Sequence, residues 1–214
     1  MGSKERKERD LESRRRLILA TAKDLFVRKG FAGVTLDDIA SGIEFSKGTV
    51  YNHFGSKEEI YATLLLEHLD ILLAELKEAT GTGKDMAERL WNSMKAYLRF
   101  YREHREHFKL LFFIDMVSDH VRIPDDLLKE IRLRKIACLL ELQNAIKEGV
   151  RTGEIGSGRT AARVSLVLWG TINGVIHLAE SRQVREDELD GLIAVGFDVV
   201  LAGLKAEPKR SLEA

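Results

Sequence analysis

The chain has 214 residues, with 34 Lys and Arg against 34 Asp and Glu, so bulk charge does not advertise a nucleic-acid partner. A hydrophobic content of 44% suffices for a core, and only two prolines leave room for long helices. The single cysteine, Cys138, excludes an intrachain disulfide and fits a reducing cytoplasm. It lies in the apolar run IACLLELQ and reads as a small buried hydrophobe rather than a redox sensor. A charged N-terminus does not fit a signal peptide, and the longest uncharged run, Val164 to Ala179, is shorter than the ~20 apolar residues of a membrane span. That run is expected to be a buried helix.

Residues 1–16 mix signs but lean basic, which suits a frayed helix start and also an arm that touches phosphates or a minor groove. The first helix is expected from about Leu11 to Lys29, with Ile18, Leu19, Ala22, Leu25 and Phe26 on one apolar face and Gly30 ending it. Thr35 is a good N-cap for a short helix with Leu36, Ile39 and Ala40 on its apolar side, and Ser41-Gly42 breaks it. Ser46 caps a second short helix, Lys47 to Phe54, whose apolar side is Val50 and Phe54. Its other side carries Lys47, Thr49, Tyr51, Asn52 and His53. Ser56 and Glu59 form a capping box for the helix that follows. Helix, turn and a second helix with a polar, partly basic outer face is the helix-turn-helix plan, in which the second helix enters the major groove of DNA. Spacing alone also allows a solvated face of an ordinary helical protein.

The segment Ile18 to Lys57 resembles the DNA-binding domain of the tetracycline-repressor (TetR) family. The resemblance is carried by Ala22, Leu25-Phe26, Gly30-Phe31, Val34-Thr35-Leu36, Asp38-Ile39-Ala40, Ser46-Lys47-Gly48-Thr49-Val50-Tyr51, His53-Phe54 and Ser56-Lys57-Glu58. One departure stands out: Ile43-Glu44-Phe45 occupies the place where the family usually has Ala-Gly-Val. A positive φ there would cost Glu44 on the order of 1 kcal/mol, unless Gly42 takes the strain. The resemblance implies that Lys47, Thr49 and Asn52 contact bases or adjacent phosphates. It implies phosphate contacts for Thr35, Ser46, Tyr51, His53 and Lys57.

Beyond the reading head, Lys57 to about Ala79 reads as one long helix, apolar on more than one face, followed by a loop at Thr80-Gly81-Thr82-Gly83. Residues 84–120 read as two helices joined near Arg102 to His107. Seven of the chain's aromatics fall between Trp91 and Phe113. Trp91, Met94, Phe108, Phe112 and Met116 lie on broad apolar faces that serve either as plain core or as the lining of a ligand cavity. His104, His107 and His120 flank this segment and read as solvated surface rather than metal ligands. Pro124-Asp125-Asp126 opens a helix that runs to about Arg151.

Two final helices are expected at about Thr160 to Ser181 and Glu186 to Lys205. In the first, Ser165, Trp169, Asn173 and His177 recur every four residues. The last three are candidate ligand contacts, and Asn173 and His177 are equally candidates for satisfied core polar groups. Gly170 and Gly174 would let another helix approach closely. No metal site, cofactor motif or catalytic arrangement stands out, so no enzyme is expected.

The expectation is an all-α protein with a three-helix helix-turn-helix domain at 1–57 and a helical ligand-binding and dimerisation domain at 58–214. The TetR resemblance implies a cytoplasmic homodimer paired through its last two helices. It implies repression at a palindromic double-stranded operator and control by a small apolar or aromatic effector, without membrane attachment. A small-molecule-binding helical protein with vestigial DNA contacts is the alternative.

Overall fold

A computed structural model describes residues 3–105, 108, 123–156 and 160–205. Among them are eight α-helices and no strand: α1 Ser3–Lys29, α2 Leu36–Gly42, α3 Lys47–His53, α4 Lys57–Gly81, α5 Met86–Glu103, α6 Asp125–Arg151, α7 Ala161–Glu180 and α8 Leu189–Lys205. The chain forms two compact units. One comprises Met1–Leu69 with His104–Arg132, the other Asp70–Glu103 with Leu133–Ala214.

In the first unit α1 begins at Ser3 rather than near Leu11. Lys, Arg and Glu are good helix formers, and spaced four apart they add support: Arg16 pairs with Glu12 at 3.0 Å. Ile18, Ala22 and Phe26 sink into the core, and Gly30, at φ 70, ends the helix. Phe26, Phe31 and Tyr61 stack in a cluster, with ring centroids 4.8–5.6 Å apart, that joins α1, the following turn and α4.

Thr35 caps α2 through a closed box. Its hydroxyl accepts the Asp38 backbone N–H at 3.1 Å, and the Asp38 carboxylate accepts the Thr35 N–H at 2.9 Å. Those Thr35 hydrogen bonds, hydroxyl first and backbone second, hold the Asp38 carboxyl below the usual range. Gly42 does not take the strain of the turn. It ends α2 against α1, where a Cβ would meet Thr21 Cγ2 at 2.8 Å. The left-handed residue is Glu44, at φ 54. Ser46 caps α3 by accepting the Thr49 N–H at 3.2 Å. Phe54 lies just past α3 with extended backbone rather than inside it, and its side chain, like that of Val50, is buried. Ser56 accepts the Glu59 N–H at 3.1 Å, but the Glu59 carboxylate reaches back to Gly55 N–H at 2.7 Å, one residue before the expected box partner.

In the second unit α4 continues through Thr80 and Gly81, so the loop starts later than the Thr-Gly pattern predicts. Thr80 satisfies its hydroxyl within the helix by donating to Leu76 O at 2.9 Å. Asp70 on α4 pairs with Arg134 on α6 at 2.7 Å. Leu90, Met94, Tyr97, Leu98, Phe100 and Tyr101 of α5 are buried. The last helix begins at Leu189 after a single 3₁₀ turn, Glu186–Glu188, and α7 packs against α8. Gly196 is what permits that approach, since a Cβ there would meet Thr171 Cγ2 at 2.5 Å. Among the described residues, nothing outside the backbone of α7 itself lies within 4 Å of where a Cβ on Gly170 or Gly174 would stand. α7 is long and apolar enough to cross a membrane, but it is not the wholly buried helix expected from sequence. Leu168, Ile172 and Ile176 face the core, while Leu166, Val167, Gly170 and Gly174 face outward.

Candidate nucleic-acid interface

α3 is anchored inward by Val50, fully buried, and outward it presents Lys47, Gly48, Tyr51 and Asn52. Thr49 and His53 lie half-buried on its flank. Tyr51 is 54% exposed although it is a large aromatic, and Asn52 is exposed as well. A short helix with short or planar polar groups outward and one apolar anchor inward can enter a groove and meet base edges and phosphates.

Several of the other candidates already have partners. Thr35 directs its backbone N–H and its hydroxyl, at 2.9 and 2.6 Å, to the same Asp38 carboxylate oxygen. Ser46 Oγ is shared between the Thr49 N–H and the Thr49 hydroxyl, the latter at 2.9 Å. Lys47 pairs with Asp37 of α2, which raises the ammonium's pKa, chiefly through their hydrogen bond. Lys57 donates to Phe31 O at 3.0 Å and Val34 O at 2.9 Å, and its Nζ stands 4.5 Å from the Phe31 ring centre. It therefore ties the segment between α1 and α2 to the start of α4.

Two contacts of this site escape a reading of the helix-turn-helix segment alone. Arg14 lies over the Phe45 ring, 5.9 Å from its centre, and Arg15 over the Phe54 ring at 4.3 Å. Phe45 precedes the cap of α3 and Phe54 follows its last turn, so neighbouring α1 residues clasp both ends of α3. The available signal is position: both arginines extend the α1 face that carries Ile18 and Ala22.

Of the candidate ligand residues, Trp169 and Asn173 come together with Tyr97. In the second unit the Tyr97 hydroxyl donates to Asn173 Oδ1 at 2.8 Å, Asn173 Nδ2 donates to Trp169 O at 2.7 Å, and the Tyr97 and Trp169 rings meet edge-on at 4.9 Å. Met94 is buried in this unit, and Trp91 packs on Phe197 of α8 at 5.2 Å. His177 is exposed, because four-residue steps advance 400° and drift about 40° each round the helix. Phe108 is buried in the first unit. Phe112, Met116, His107 and His120 lie outside the described residues. Burial pushes the Cys138 thiol up to about 12, so it remains an unreactive thiol.

Residues 18–64 match the family model of bacterial regulatory proteins, tetR family. Over 108 residues the chain is 32% identical to the HTH-type transcriptional activator FasR of Mycolicibacterium smegmatis. That alignment covers 50% of this chain and 49% of FasR, so the chain spans about half the length of that relative. Among solved structures, the TetR family regulator PfmR from Thermus thermophilus superposes with a TM-score of 0.69 at 25% identity, over 88% of this chain and 99% of PfmR. FadR from Bacillus subtilis, solved in complex with stearoyl-CoA, has a TM-score of 0.66 at 19% identity, over 89% of this chain and 97% of FadR, and so shares the fold. The matched segment contains the capped α2–α3 pair and its buried anchor, and residues 18–64 form a helix-turn-helix domain of the tetR family.

Proposed function

We propose that this chain is a cytoplasmic, ligand-responsive repressor that binds a palindromic operator as a homodimer. The observation that carries the reading is the outward face of α3, where Tyr51 and Asn52 stand exposed over a buried Val50. Lys47, Thr49 and Asn52 read bases or adjacent phosphates, Thr35, Ser46, Tyr51 and His53 hold or adjoin the backbone, and Lys57, the remaining candidate, braces the start of α4 instead. One seven-residue helix spans only about 10 Å, so a long site needs a second copy related by two-fold symmetry.

An exposed apolar strip supports pairing through α7 and α8: Leu166 and Val167 are 55% and 54% exposed, Val195 and Val199 61% and 67%. Gly170 and Gly174 lie exposed on the α7 strip, where a partner helix could come close. Val195→Asp with Val199→Asp should convert a dimer of 24.2 kDa chains into monomers by sedimentation. An unchanged mass would remove this face.

The effector is an apolar or aromatic small molecule held by the 58–214 region, with Trp91, Met94, Phe108, Phe112, Met116, Trp169, Asn173 and His177 as candidate contacts. The stearoyl-CoA bound by FadR makes a long acyl chain the first compound to test. A ligand releases DNA only by its differential affinity for two shapes of the dimer. We assign no catalysis, cofactor or membrane attachment.

Selection of bound sequences from a random duplex library tests the whole reading. Enrichment of two inverted half-sites, weakened by stearoyl-CoA, is the expected result. Salt-sensitive binding without enrichment would return the chain to the ligand-binding alternative. FasR is named an activator, which favours activation as the second reading, and transcription from a promoter carrying the selected site decides its sign.

A further inference from the structure

α6 is one unbroken helix over Asp125–Arg151, and its two faces differ. Ile131, Cys138, Leu142 and Ile146 are buried. On the opposite side Leu133, Ile136 and Leu140 are 46%, 52% and 41% exposed. Asp126, Lys129, Asn144 and Lys147 are exposed as well. At 100° per residue these outward positions fall within an arc of about 80°, centred opposite the buried set. They recur in steps of three and four residues, the spacing of a helix–helix seam, with apolar residues in the middle and charges at both ends. Among the described residues Asp126, Lys129 and Lys147 enter no ion pair, whereas Arg134, beside the seam, is taken by Asp70.

The order of residues along the seam selects its partner. Asp126 and Lys147 lie equidistant from the midpoint between Ile136 and Ala137, and so do Lys129 and Asn144, and Leu133 and Leu140. A second α6 laid antiparallel about that midpoint sets Leu133 against Leu140 and Lys129 against Asn144. It also sets Asp126 against Lys147 twice, once at each end. A parallel pairing would instead oppose Asp126 to Asp126 and each lysine to itself. The complement of this face is therefore the same face of another chain, in the isologous arrangement of a two-fold pair. From Asp126 to Lys147 the seam runs about 30 Å, and a single helix laid on a single helix falls at the low end of specific interfaces. Such a pairing is weak and concentration-dependent.

We propose that α6 is a second self-association face, through which chains pair antiparallel by Leu133, Ile136 and Leu140, with Asp126 and Lys147 ion-paired between copies. It uses neither α7 nor α8, and it joins two dimers where those helices have already paired the chains. On DNA, copies bound at neighbouring sites stand at high effective concentration, so this face makes the sites fill together. That consequence rests on the DNA-binding reading; the pairing itself does not.

Sedimentation of the full-length protein from about 1 µM to about 500 µM, a range that spans weak interfaces, tests the pairing. The mass should double across the range, from one chain to two or from two to four, so the result does not depend on α7 and α8. Asp126→Lys and Lys147→Glu, each alone, bring like charges together at both ends and should raise the concentration of half-association about ten-fold or more. The two substitutions combined restore opposite charges and should restore the doubling. Because both single changes recur in that variant, its recovery excludes misfolding as their cause. Leu133→Gln with Leu140→Gln alters only exposed positions and should abolish the step. A constant wild-type mass leaves the seam to solvent or to a different protein and overturns the proposal. A doubling that survives Leu133→Gln with Leu140→Gln overturns it too, as does a combined reversal no stronger than the single ones.

Discussion

Lys47, the first residue of α3, is ion-paired with Asp37 in the first turn of the preceding helix. Both side chains are more than a third exposed, so water and salt screen the pair, and it holds the lysine without committing it. A phosphate approaching Lys47 must displace a carboxylate that also repels it. Asp37→Asn should therefore raise affinity for operator and random DNA alike by several-fold, lowering selectivity little and stability little. Unchanged affinity at low salt would show that Lys47 keeps its partner in the complex.

Glu44 adopts φ 54 in the turn between α2 and α3. The left-handed region costs a residue with a Cβ roughly 1–2 kcal/mol, which glycine avoids. The Ile43 and Phe45 backbone N–H groups are both fixed to Ala40 O, at 3.3 and 3.2 Å, so the turn holds its shape whichever residue stands between them. Glu44→Gly should stabilise the chain by about 1 kcal/mol and leave the selected DNA sequence unaltered. A destabilised variant would mean that the chain entropy of glycine outweighs the strain.

Lys57 would be expected, from its place at a helix start, to hold a phosphate. In the structure two of its three ammonium donors are on Phe31 O and Val34 O. Lys57→Met keeps the stem but leaves both carbonyls without that donor, at a cost of about 1–3 kcal/mol. Thermal unfolding should reveal this loss, with the salt slope of DNA binding unchanged. A slope lowered by about 0.9 would instead make Lys57 a phosphate ligand as well.

These cases mark what the sequence makes legible. Thr35 and Ser46 act within three residues of themselves, so their caps and the two short helices between Leu36 and His53 follow from local chemistry. The strain at Glu44 is raised by the TetR resemblance instead, which leaves Gly42 as the alternative, and the positive φ falls on Glu44. Partners far along the chain are not legible: nothing near Lys57 announces Phe31, and nothing near Arg15 announces Phe54. The helical start of α1 is hidden because a mixed-charge stretch has no apolar period, and its stability comes from charge pairs and propensity instead. The glycine signal in α7 is not used within the described residues. Among the described residues nothing outside α7's own backbone comes within 4 Å of a Cβ at Gly170 or Gly174, whereas Gly196 of α8 makes the close approach within the chain. In the ligand region, helical spacing cannot separate a cavity wall from core, and Asn173 proves to be satisfied by Tyr97 and Trp169.

His68 is 5% exposed on α4, hydrogen-bonded through Nδ1 to Leu64 O, with the His104 ring 6.1 Å away. Burial is the main cause that lowers its pKa to about 4 from the ordinary 6.5, and the nearby Lys23 and His104 push the same way. A histidine depressed in the folded state stays neutral there while the unfolded chain takes up a proton. Between those two values the unfolded state binds more protons, so stability rises with pH and is lost as pH falls from about 6.5 toward 4. The full difference corresponds to roughly 3 kcal/mol. His68→Gln removes the titration and preserves a side-chain hydrogen-bond donor in a helix-compatible residue. Chemical denaturation of both proteins from pH 7 to pH 4 should show the wild type losing about that much more stability than the variant. Parallel profiles would mean that the unfolded chain gains no proton at His68 that the folded chain lacks, and acid lability would then rest on the carboxylates alone.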